Sequence, residues 1–284
     1  LSKTILTGVR PDELAILSKL LYRDHIRVAD FIKEYQKTYG IKISTSQVSE
    51  AIQVLQGHFV SKEAEYQKFR QIDILENDQS GMIRRLQSYT ERLAHIQFYT
   101  QVEDTIKVGI ARYKDKYFPG RIVDSPFVLY EKYSRRDVSL LMNCGKDLSS
   151  IMYGMKRIED DVFIFITYHK EESQDEKNYV DGKPDYADAF EDDLIFKWDS
   201  QIGKGLDSSY MKDVLEAERK HLLVKKSDAE TSFYYMGQFT VVEARNARKE
   251  DNRGRMQPIT KVTMKMQHPV REDLLRYLQS NITA

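Results

Sequence analysis

The first 120 residues carry apolar side chains at the three- and four-residue spacing of amphipathic helices. This pattern predicts successive helices with apolar stripes at residues 14–21, 28–39, 48–55, 83–93 and 98–117. A hydroxyl residue at 44–46 is predicted to cap the third helix, and Gly57 to end it. Pro119 and Gly120 then interrupt the chain, which predicts a helical domain over residues 1–120.

The remaining residues, 121–284, change to short apolar or alternating runs typical of strands. Strands are predicted at 127–130, 162–168, 194–198, 222–226, 233–242 and 261–266. The continuous apolar run at 162–168 favours burial on both faces, whereas strict alternation at 261–266 favours one wet and one packed face. Short helices are expected from the cap Ser134 to Met142 and from Pro269 onward. The predicted fold class is therefore α+β, a helical bundle followed by a strand-rich pseudo-barrel.

The formal net charge of zero hides an uneven distribution along the chain. Residues 160–193 hold twelve acidic and three basic side chains, and 171–193 is the stretch expected to form a mobile loop. Residues 219–276 instead hold thirteen basic and seven acidic side chains. Because a nucleic-acid interface depends on local potential, the neutral total does not exclude one, although each run also fits a solvated surface.

Three single features bear on the cellular environment of the protein and on the extent of the chain. The lone cysteine, Cys144, cannot form an internal disulfide and suits a reducing cytoplasm. No apolar run reaches the roughly 20 residues of a membrane span, so no membrane partner is expected. The chain starts at Leu1 rather than methionine, which indicates a piece of a longer protein.

Tests for catalytic chemistry give little support for an enzyme, and whether the fragment catalyses a reaction stays uncertain. No glycine-rich phosphate loop with a Gly-Lys-Ser/Thr ending is present, so ATP hydrolysis by this segment is not expected. The histidines lie far apart and no cofactor or metal is predicted. His169 and Lys170 are adjacent, whereas a phospholipase-D-type nuclease needs them on alternate positions.

A magnesium-dependent nuclease remains an alternative because carboxylates cluster ahead of a lysine. The residues are Asp185, Glu191, Asp192, Asp193 and Lys197. Two carboxylates could hold Mg²⁺ while the lysine steadies the attacking water. Their spacing does not match the restriction-type pattern, however, and an acidic loop entering a strand is the favoured interpretation.

The features that favour nucleic acid are polar, basic and aromatic residues at predicted strand ends and helix starts. The candidate DNA-binding residues are Tyr133, Arg135, Arg136, Thr167, His169, Lys170, Trp198, Ser200, Gln201, Lys225, Lys226 and Tyr235. The cations would hold phosphates, and Gln201 or an arginine would read base edges. Each has a structural alternative: Trp198 and Tyr235 fit a core, and Arg136 could pair with a neighbouring carboxylate.

The helical domain carries a second candidate, because the third predicted helix follows a short turn, as in a helix-turn-helix. Its polar face consists of Gln47, Ser49, Glu50 and Gln53 and offers few cations. Packing or docking is therefore the favoured interpretation, with DNA contact as the lesser one.

Several ordered stretches resemble the uncharacterised C-terminal domain of bacterial superfamily-2 (DEAD/DEAH-box) helicases, many of which also carry a phospholipase-D-like nuclease domain. The stretches lie at 127–138, 152–154, 165–170, 186–190, 198–201, 224–228 and 233–237. The opening residues 8–14 are similar to the helical connector that follows the motor in such proteins. The acidic insert around 171–183 is longer than the resemblance leads one to expect.

The resemblance implies a role in DNA restriction-modification or phage defence, with the helicase motor and the nuclease upstream in the same chain. The leading hypothesis is a non-catalytic module that recognises target DNA, expected to be double-stranded. A protein-interaction module that docks the motor or a partner is the first alternative, and the nuclease is the second.

Overall fold

The computed structural model describes residues 2–60, 67, 73–78, 80–120, 125–169, 179–180, 183–184, 188–251 and 253–280. The chain forms two compact units. The N-terminal unit comprises Leu1–Val128 and Arg135–Ser149, and the C-terminal unit comprises Leu129–Ser134 and Ser150–Ala284. The division into domains 1–120 and 121–284 stays a prediction; residues Arg135–Ser149, which follow that boundary, group with the N-terminal unit.

The N-terminal unit is built mainly from helices. They are α1 (Ser2–Ile5), α2 (Asp12–Leu20), α3 (Val28–Tyr39), α4 (Thr45–Leu55), α5 (Gln87–Leu93), α6 (Ile96–Arg112), which continues as a π-helical turn (Tyr113–Tyr117), and α7 (Arg135–Leu141). A small antiparallel sheet joins β1 (His25–Arg27), β3 (Met82–Arg85) and β2 (Leu75–Asn77), in that order. The helical stripes pack as their spacing predicts, with Leu14, Phe31 and Val48 fully buried.

Local sequence explains where α4 begins and how closely α2 and α6 approach. The Ser44 hydroxyl accepts a hydrogen bond from the Gln47 amide at 3.2 Å, and the Gln47 side chain accepts one from the Ser44 amide at 2.9 Å. This reciprocal capping box satisfies two amides that the helix leaves unpaired. Gly109 of α6 has no Cβ, and a Cβ there would lie 2.7 Å from Cδ1 of Leu14.

The C-terminal unit is built around an eight-stranded sheet. Its strands are β4 (Lys132–Tyr133), β5 (Met155–Ile158), β6 (Asp161–His169), β9 (Ala189–Phe190), β10 (Ile195–Asp199), β11 (Arg219–Ser227), β12 (Phe233–Glu250) and β13 (Met256–Met266). The order is β5-β6-β11-β12-β13-β10-β9, with β4 pairing to β12; only β6 and β11 run parallel. A separate hairpin pairs β7 (Tyr179–Val180) with β8 (Lys183–Pro184). Two helices, α8 (Ser209–Glu216) and α9 (Glu272–Gln279), and a 3₁₀ turn (Ser149–Ile151) complete the described elements.

These elements confirm the predicted α+β class, with helices concentrated in the N-terminal half and the large sheet in the C-terminal half. Among the described strands the sheet stays open, from β5 at one edge to β9 at the other, and does not close into a barrel. The continuous run of β6 is buried on both faces, as predicted. Most of the predicted acidic loop at 171–193 lies outside the described residues.

Three predicted elements were wrong in position. Ile83, expected in a helix, lies in β3, where it pairs with the buried Ile26; this contact between distant residues outweighs the local helical spacing. The strand expected at 127–130 forms later, at Lys132–Tyr133, because Tyr130 turns the chain with φ of 67°. The last helix begins at Glu272 rather than at Pro269, since Arg271 is still extended.

The large sheet has one continuous apolar face. Every second residue of its strands points to this side, and the helices α8 and α9 pack there through Met211, Val214, Leu274 and Leu278. A bulge in β12 at Val242 shifts the register with β13, so that Val241 before it and Ala244 after it both reach this core. Beyond the bulge, the odd-numbered residues of β12 therefore point to the side of the sheet opposite this core.

A polar network is buried on the other face, at the start of the two parallel strands. His221 bonds Asp161 through Nε2 at 2.7 Å and the Tyr235 hydroxyl through Nδ1 at 2.9 Å, while its ring stacks on Phe163 at 4.5 Å. Arg219 donates two hydrogen bonds to Asp161, at 2.8 and 2.7 Å. Although burial raises the pKa of Asp161, the hydrogen bonds from His221 and Arg219 lower it to about 2.

The pKa of His221 leads to a pH-dependence of stability. Burial lowers this pKa more than the Asp161 carboxylate raises it, so the folded state holds the ring neutral. The unfolded chain takes up the proton near pH 6.5, and the free energy of unfolding should therefore fall as pH decreases below that value. One proton changes it by at most about 1.4 kcal/mol per pH unit.

Urea unfolding at pH 7.5 and 5.5 measures this effect. The stability lost between the two pH values should be smaller in His221→Gln than in the unsubstituted chain, because the other five histidines are common to both. An equal loss in the two proteins would show that His221 does not titrate differently on folding. Asp161 does not interfere, since its own pKa change acts only below about pH 4.

Candidate nucleic-acid interface

The parallel pairing of β6 and β11 brings together four of the predicted site residues. Lys225 is in register with Thr167, Ser227 is in register with His169, and Lys226 lies between them along β11. Thr167, His169, Lys225 and Lys226 therefore lie near one strand end, although Lys225 and Lys226, as neighbours on a strand, point to opposite faces of the sheet. Their role in DNA binding stays a prediction. Lys170, which follows His169, lies outside the described residues.

The two lysines of this group are held by partners within the unit. Lys225 is mostly buried; its Nζ lies 3.2 Å from Asp228 and donates to the Glu230 carbonyl at 3.0 Å. Lys226 lies over the Tyr277 ring, 4.7 Å from its centroid, and donates to the Ser280 hydroxyl at 2.7 Å. Burial and the nearby Asp228 carboxylate favour a structural role for Lys225, because its charge is compensated within the unit. Lys226 is half-buried, and its two partners are uncharged.

Glu230 ties this cluster to α9 and β4. Its carboxylate accepts from Lys132 Nζ at 2.6 Å, from the Lys226 amide at 2.7 Å and from the Tyr277 hydroxyl at 3.2 Å. Although burial raises the pKa of Glu230, the bond from Lys132 leads the contacts that lower it overall. The carboxylate thus stays ionised among the cations.

The aromatic candidates lie in the core of the C-terminal unit. Tyr133 and Tyr235 are fully buried and meet edge to face, with ring centroids 6.4 Å apart. Trp198 is 3% exposed and packs near Tyr210, 6.3 Å between ring centroids. Rings without accessible surface cannot stack on a base, so the structural alternative describes these three residues better.

Ser200 and Gln201 have different environments although they are adjacent. Ser200 is buried, where its hydroxyl accepts from the Thr260 amide at 2.8 Å and donates to the Lys204 carbonyl at 2.7 Å. Gln201 is exposed and donates through Nε2 to the Tyr153 carbonyl at 3.3 Å. Gln201 therefore keeps an accessible amide, whereas Ser200 fastens the end of β10 to β13.

Arg135 and Arg136 belong to the N-terminal unit, in which they open α7. The Arg136 guanidinium donates through Nε to the buried Asp147 carboxylate at 2.7 Å. The ion pair anticipated for Arg136 is thus present, with Asp147.

A basic surface that the residue-by-residue prediction missed lies on the exposed half of the large sheet, opposite the apolar core. Strand alternation and the pairings of β13 with β10 and β12 place its residues on one side. We call this surface the basic face; its cations are Lys197, Arg245, Lys249, Lys261 and Lys265. The alternation at 261–266 predicts a wet face, but only the bulge at Val242 brings Arg245 and Lys249 to it.

The cations of the basic face outnumber the carboxylates beside them. Lys197 lies 3.3 Å from Glu191, Lys261 lies 3.5 Å from Asp199, and the Arg245 guanidinium lies 3.8 Å from Glu243. Burial raises the pKa of Asp199.

Like charges also face each other across the strands of this surface. Arg245 and Lys261 are directly opposed in the β12–β13 register. Like charges in that arrangement destabilise a sheet, and a bound anion would relieve the repulsion.

The carboxylates of the nuclease alternative do not form a metal site among the described residues. Asp192 accepts the amides of Leu194 and Ile195, both at 2.7 Å, and so shapes the turn into β10. Lys197 reaches Glu191 and the Thr263 hydroxyl. Asp185 lies outside the described residues, and within them no cluster of three or more histidine, cysteine or acidic side chains could hold a metal ion.

The class that the fold defines is an α+β protein whose large sheet is packed on one face and, over β10, β12 and β13, exposes cations on the other. A model of a domain of unknown function, DUF3427, matches residues 127–278, more than half of the chain. The chain therefore belongs to the DUF3427 family, a domain found in helicase-associated proteins. A model of a second domain of unknown function, DUF8090, matches residues 1–116.

The chain is also similar, at low sequence identity, to several solved structures. The MspJI restriction endonuclease with a 27-mer oligonucleotide is 11% identical (TM-score 0.27; 40% of this chain, 31% of that chain). Arabidopsis thaliana SUVH6 with SAM is 11% identical (TM-score 0.36; 98% of this chain, 41% of that chain). The sulfur binding and SRA domains of ScoMcrA with phosphorothioated DNA are 10% identical (TM-score 0.28; 77% of this chain, 62% of that chain).

The chain spans between 31% and 62% of the lengths of these three proteins, and TM-scores of this size do not establish a shared fold. No curated protein matches the chain. Among the described residues, no helix combines the length and apolar character needed to cross a bilayer.

Proposed function

We propose that the C-terminal unit binds double-stranded DNA through the basic face, as the target-recognition module of a larger restriction or phage-defence protein. The observation that carries the proposal is the opposed pair Arg245 and Lys261 at the centre of an exposed surface with a cationic excess. Phosphates would occupy the space between these cations and remove their repulsion. This differs from the predicted set of phosphate contacts at the strand ends, since the basic face takes the place of Lys225 and Lys226.

The sheet suits this function because its two sides are chemically separate. The helices α8 and α9 and the apolar core fix the strands from one side, so the backbone positions that carry the cations on the other side keep constant spacings. A fixed backbone loses less conformational entropy on binding than a flexible loop would. The helicase motor and nuclease of our hypothesis would lie upstream in the same protein and supply the chemistry.

Fluorescence anisotropy with a labelled 30-base-pair duplex, recorded from 50 to 400 mM salt, tests the proposal on the full 284-residue chain. Each phosphate neutralised contributes about −0.9 to the slope of log K against log salt, so three to five contacts predict a slope of about −2.7 to −4.5. A slope close to zero, or no binding at 50 mM salt, would contradict phosphate recognition. Binding that ignores salt would instead favour the docking alternative.

A further inference from the structure

The distal parts of β12 and β13 form an antiparallel ribbon that we call the arm, residues 245–251 and 253–261. At its base the amides of Ser200 and Gly203 donate to the carbonyls of Thr260 and Pro258, so the ribbon is two-stranded only beyond Pro258. Six register pairs run from Arg245 opposite Lys261 to Glu250 opposite Met256. At roughly 3.4 Å per residue, these pairs extend about 17 Å. Every residue of β12 from Thr240 to Glu250 is exposed or half-buried, and the pairing of β12 with β11 ends at Gln238, before the arm begins.

The tip of the arm is ordered by one carboxylate. Asp251 accepts the amides of Arg253 at 2.9 Å and Arg255 at 3.0 Å, and the side-chain amide of Gln257 at 3.1 Å. Gly254 supplies the left-handed conformation of the turn, with φ of 73°. The amide of Arg255 is the largest of the contacts that lower the pKa of Asp251 to about 2. The turn is therefore preorganised, and its acidic group is used internally.

The charges of the arm match an anionic partner. Between residues 245 and 255 there are five cations (Arg245, Arg248, Lys249, Arg253 and Arg255) and two carboxylates (Glu250 and Asp251). The Asp251 carboxylate accepts hydrogen bonds within the turn. Among the described residues of this segment, Glu250 is the one other carboxylate. Arg248 lies on the arm surface that faces away from Arg245 and Lys249, so cations occur on both sides of the ribbon.

We infer that the arm enters the major groove of double-stranded DNA while the basic face at its base holds the flanking phosphates. The inference rests on the proposed function and adds the groove to it. A major groove about 12 Å wide admits a two-stranded ribbon, whereas a minor groove about 6 Å wide does not. Cations on both sides of the ribbon would face the phosphates of both groove walls, and arginine at the tip suits the guanine edge.

Duplexes with a filled major groove test the inference without changing the phosphate charge. Two duplexes of identical sequence are compared, one with cytosine and one with glucosylated 5-hydroxymethylcytosine, whose sugar occupies the major groove. The full chain should bind the glucosylated duplex at least tenfold more weakly. Equal or tighter binding to the glucosylated duplex would overturn the inference, yet leave a salt-dependent interaction, and with it the proposed function, intact.

A pair of matched variants assigns the discrimination to the arm. Arg248→Gln with Arg253→Gln should reduce the ratio between the duplexes to below threefold, since both side chains are exposed and the Asp251 turn is kept. Arg271→Gln with Arg276→Gln, beside and within α9 on the opposite side of the sheet, should preserve the ratio. The inference would be contradicted if the arm variant kept the difference in affinity between the two duplexes while the Arg271 and Arg276 variant lost it. Salt-independent or absent binding to both duplexes would overturn the proposed function as well.

Discussion

Replacing Lys197, Lys261 and Lys265 together with glutamine is expected to weaken duplex binding by about 10²-fold or more at 0.1 M salt. Each phosphate contact contributes nearly tenfold in affinity between 0.1 and 1 M salt, because its loss removes one released counterion. The slope of log K against log salt should also become less negative by about 3. The three side chains share the basic face through the β10–β13 pairing, so their effects act on one surface.

The control for this variant removes the same charge from the other side of the sheet. Lys212→Gln, Arg271→Gln and Arg276→Gln alter exposed cations in or beside α8 and α9, which pack on the apolar face. This control should bind within about threefold of the unsubstituted chain, and thermal unfolding should show both variants folded. If the control weakens binding as strongly as the basic-face variant, the interaction reflects overall charge and not the basic face.

Asp161→Ala should lower the free energy of unfolding by about 2–4 kcal/mol. The substitution removes the acceptor of the buried His221 Nε2–H at 2.7 Å and the carboxylate that holds Arg219. A buried donor without an acceptor costs about 1–3 kcal/mol, and the lost charge-assisted bonds add to this, reduced because Arg219 is 42% exposed.

Asp161→Asn separates the hydrogen bond from the charge. Its amide oxygen can still accept from His221, so the loss should be about half that of the alanine variant or less. Urea denaturation at pH 7.5 gives both values. Equal destabilisation by alanine and asparagine would mean that the negative charge, and not the acceptor, stabilises the start of β6 and β11.

The fold could be predicted from the sequence wherever local pattern and burial agree. The stripes at 14–21 and 28–39 became helices, and the run at 162–168 became a strand buried on both faces. Prediction failed where a distant partner decides the structure: Ile83 joins a strand because Ile26 lies beside it. Such pairings leave no local signal in a single sequence.

The candidate site shows the same limit. The parallel register brought Thr167, His169, Lys225 and Lys226 near one strand end, but it also supplied Asp228 and Glu230 as their partners. The basic face depends on a one-residue bulge at Val242, which turns Arg245 and Lys249 to the same side as Lys261. The basic excess over 219–276 was visible in the sequence, but the side of the sheet on which it concentrates was not.

Lysine acetylation followed by mass spectrometry, with and without duplex DNA, tests most directly whether the basic face holds the phosphates. The account predicts that bound duplex slows acetylation of Lys197, Lys261 and Lys265 at least fivefold. Lys212, on α8 beyond the apolar core, should react at an unchanged rate. Protection of Lys212 while the three basic-face lysines react as they do in the free protein would contradict the account.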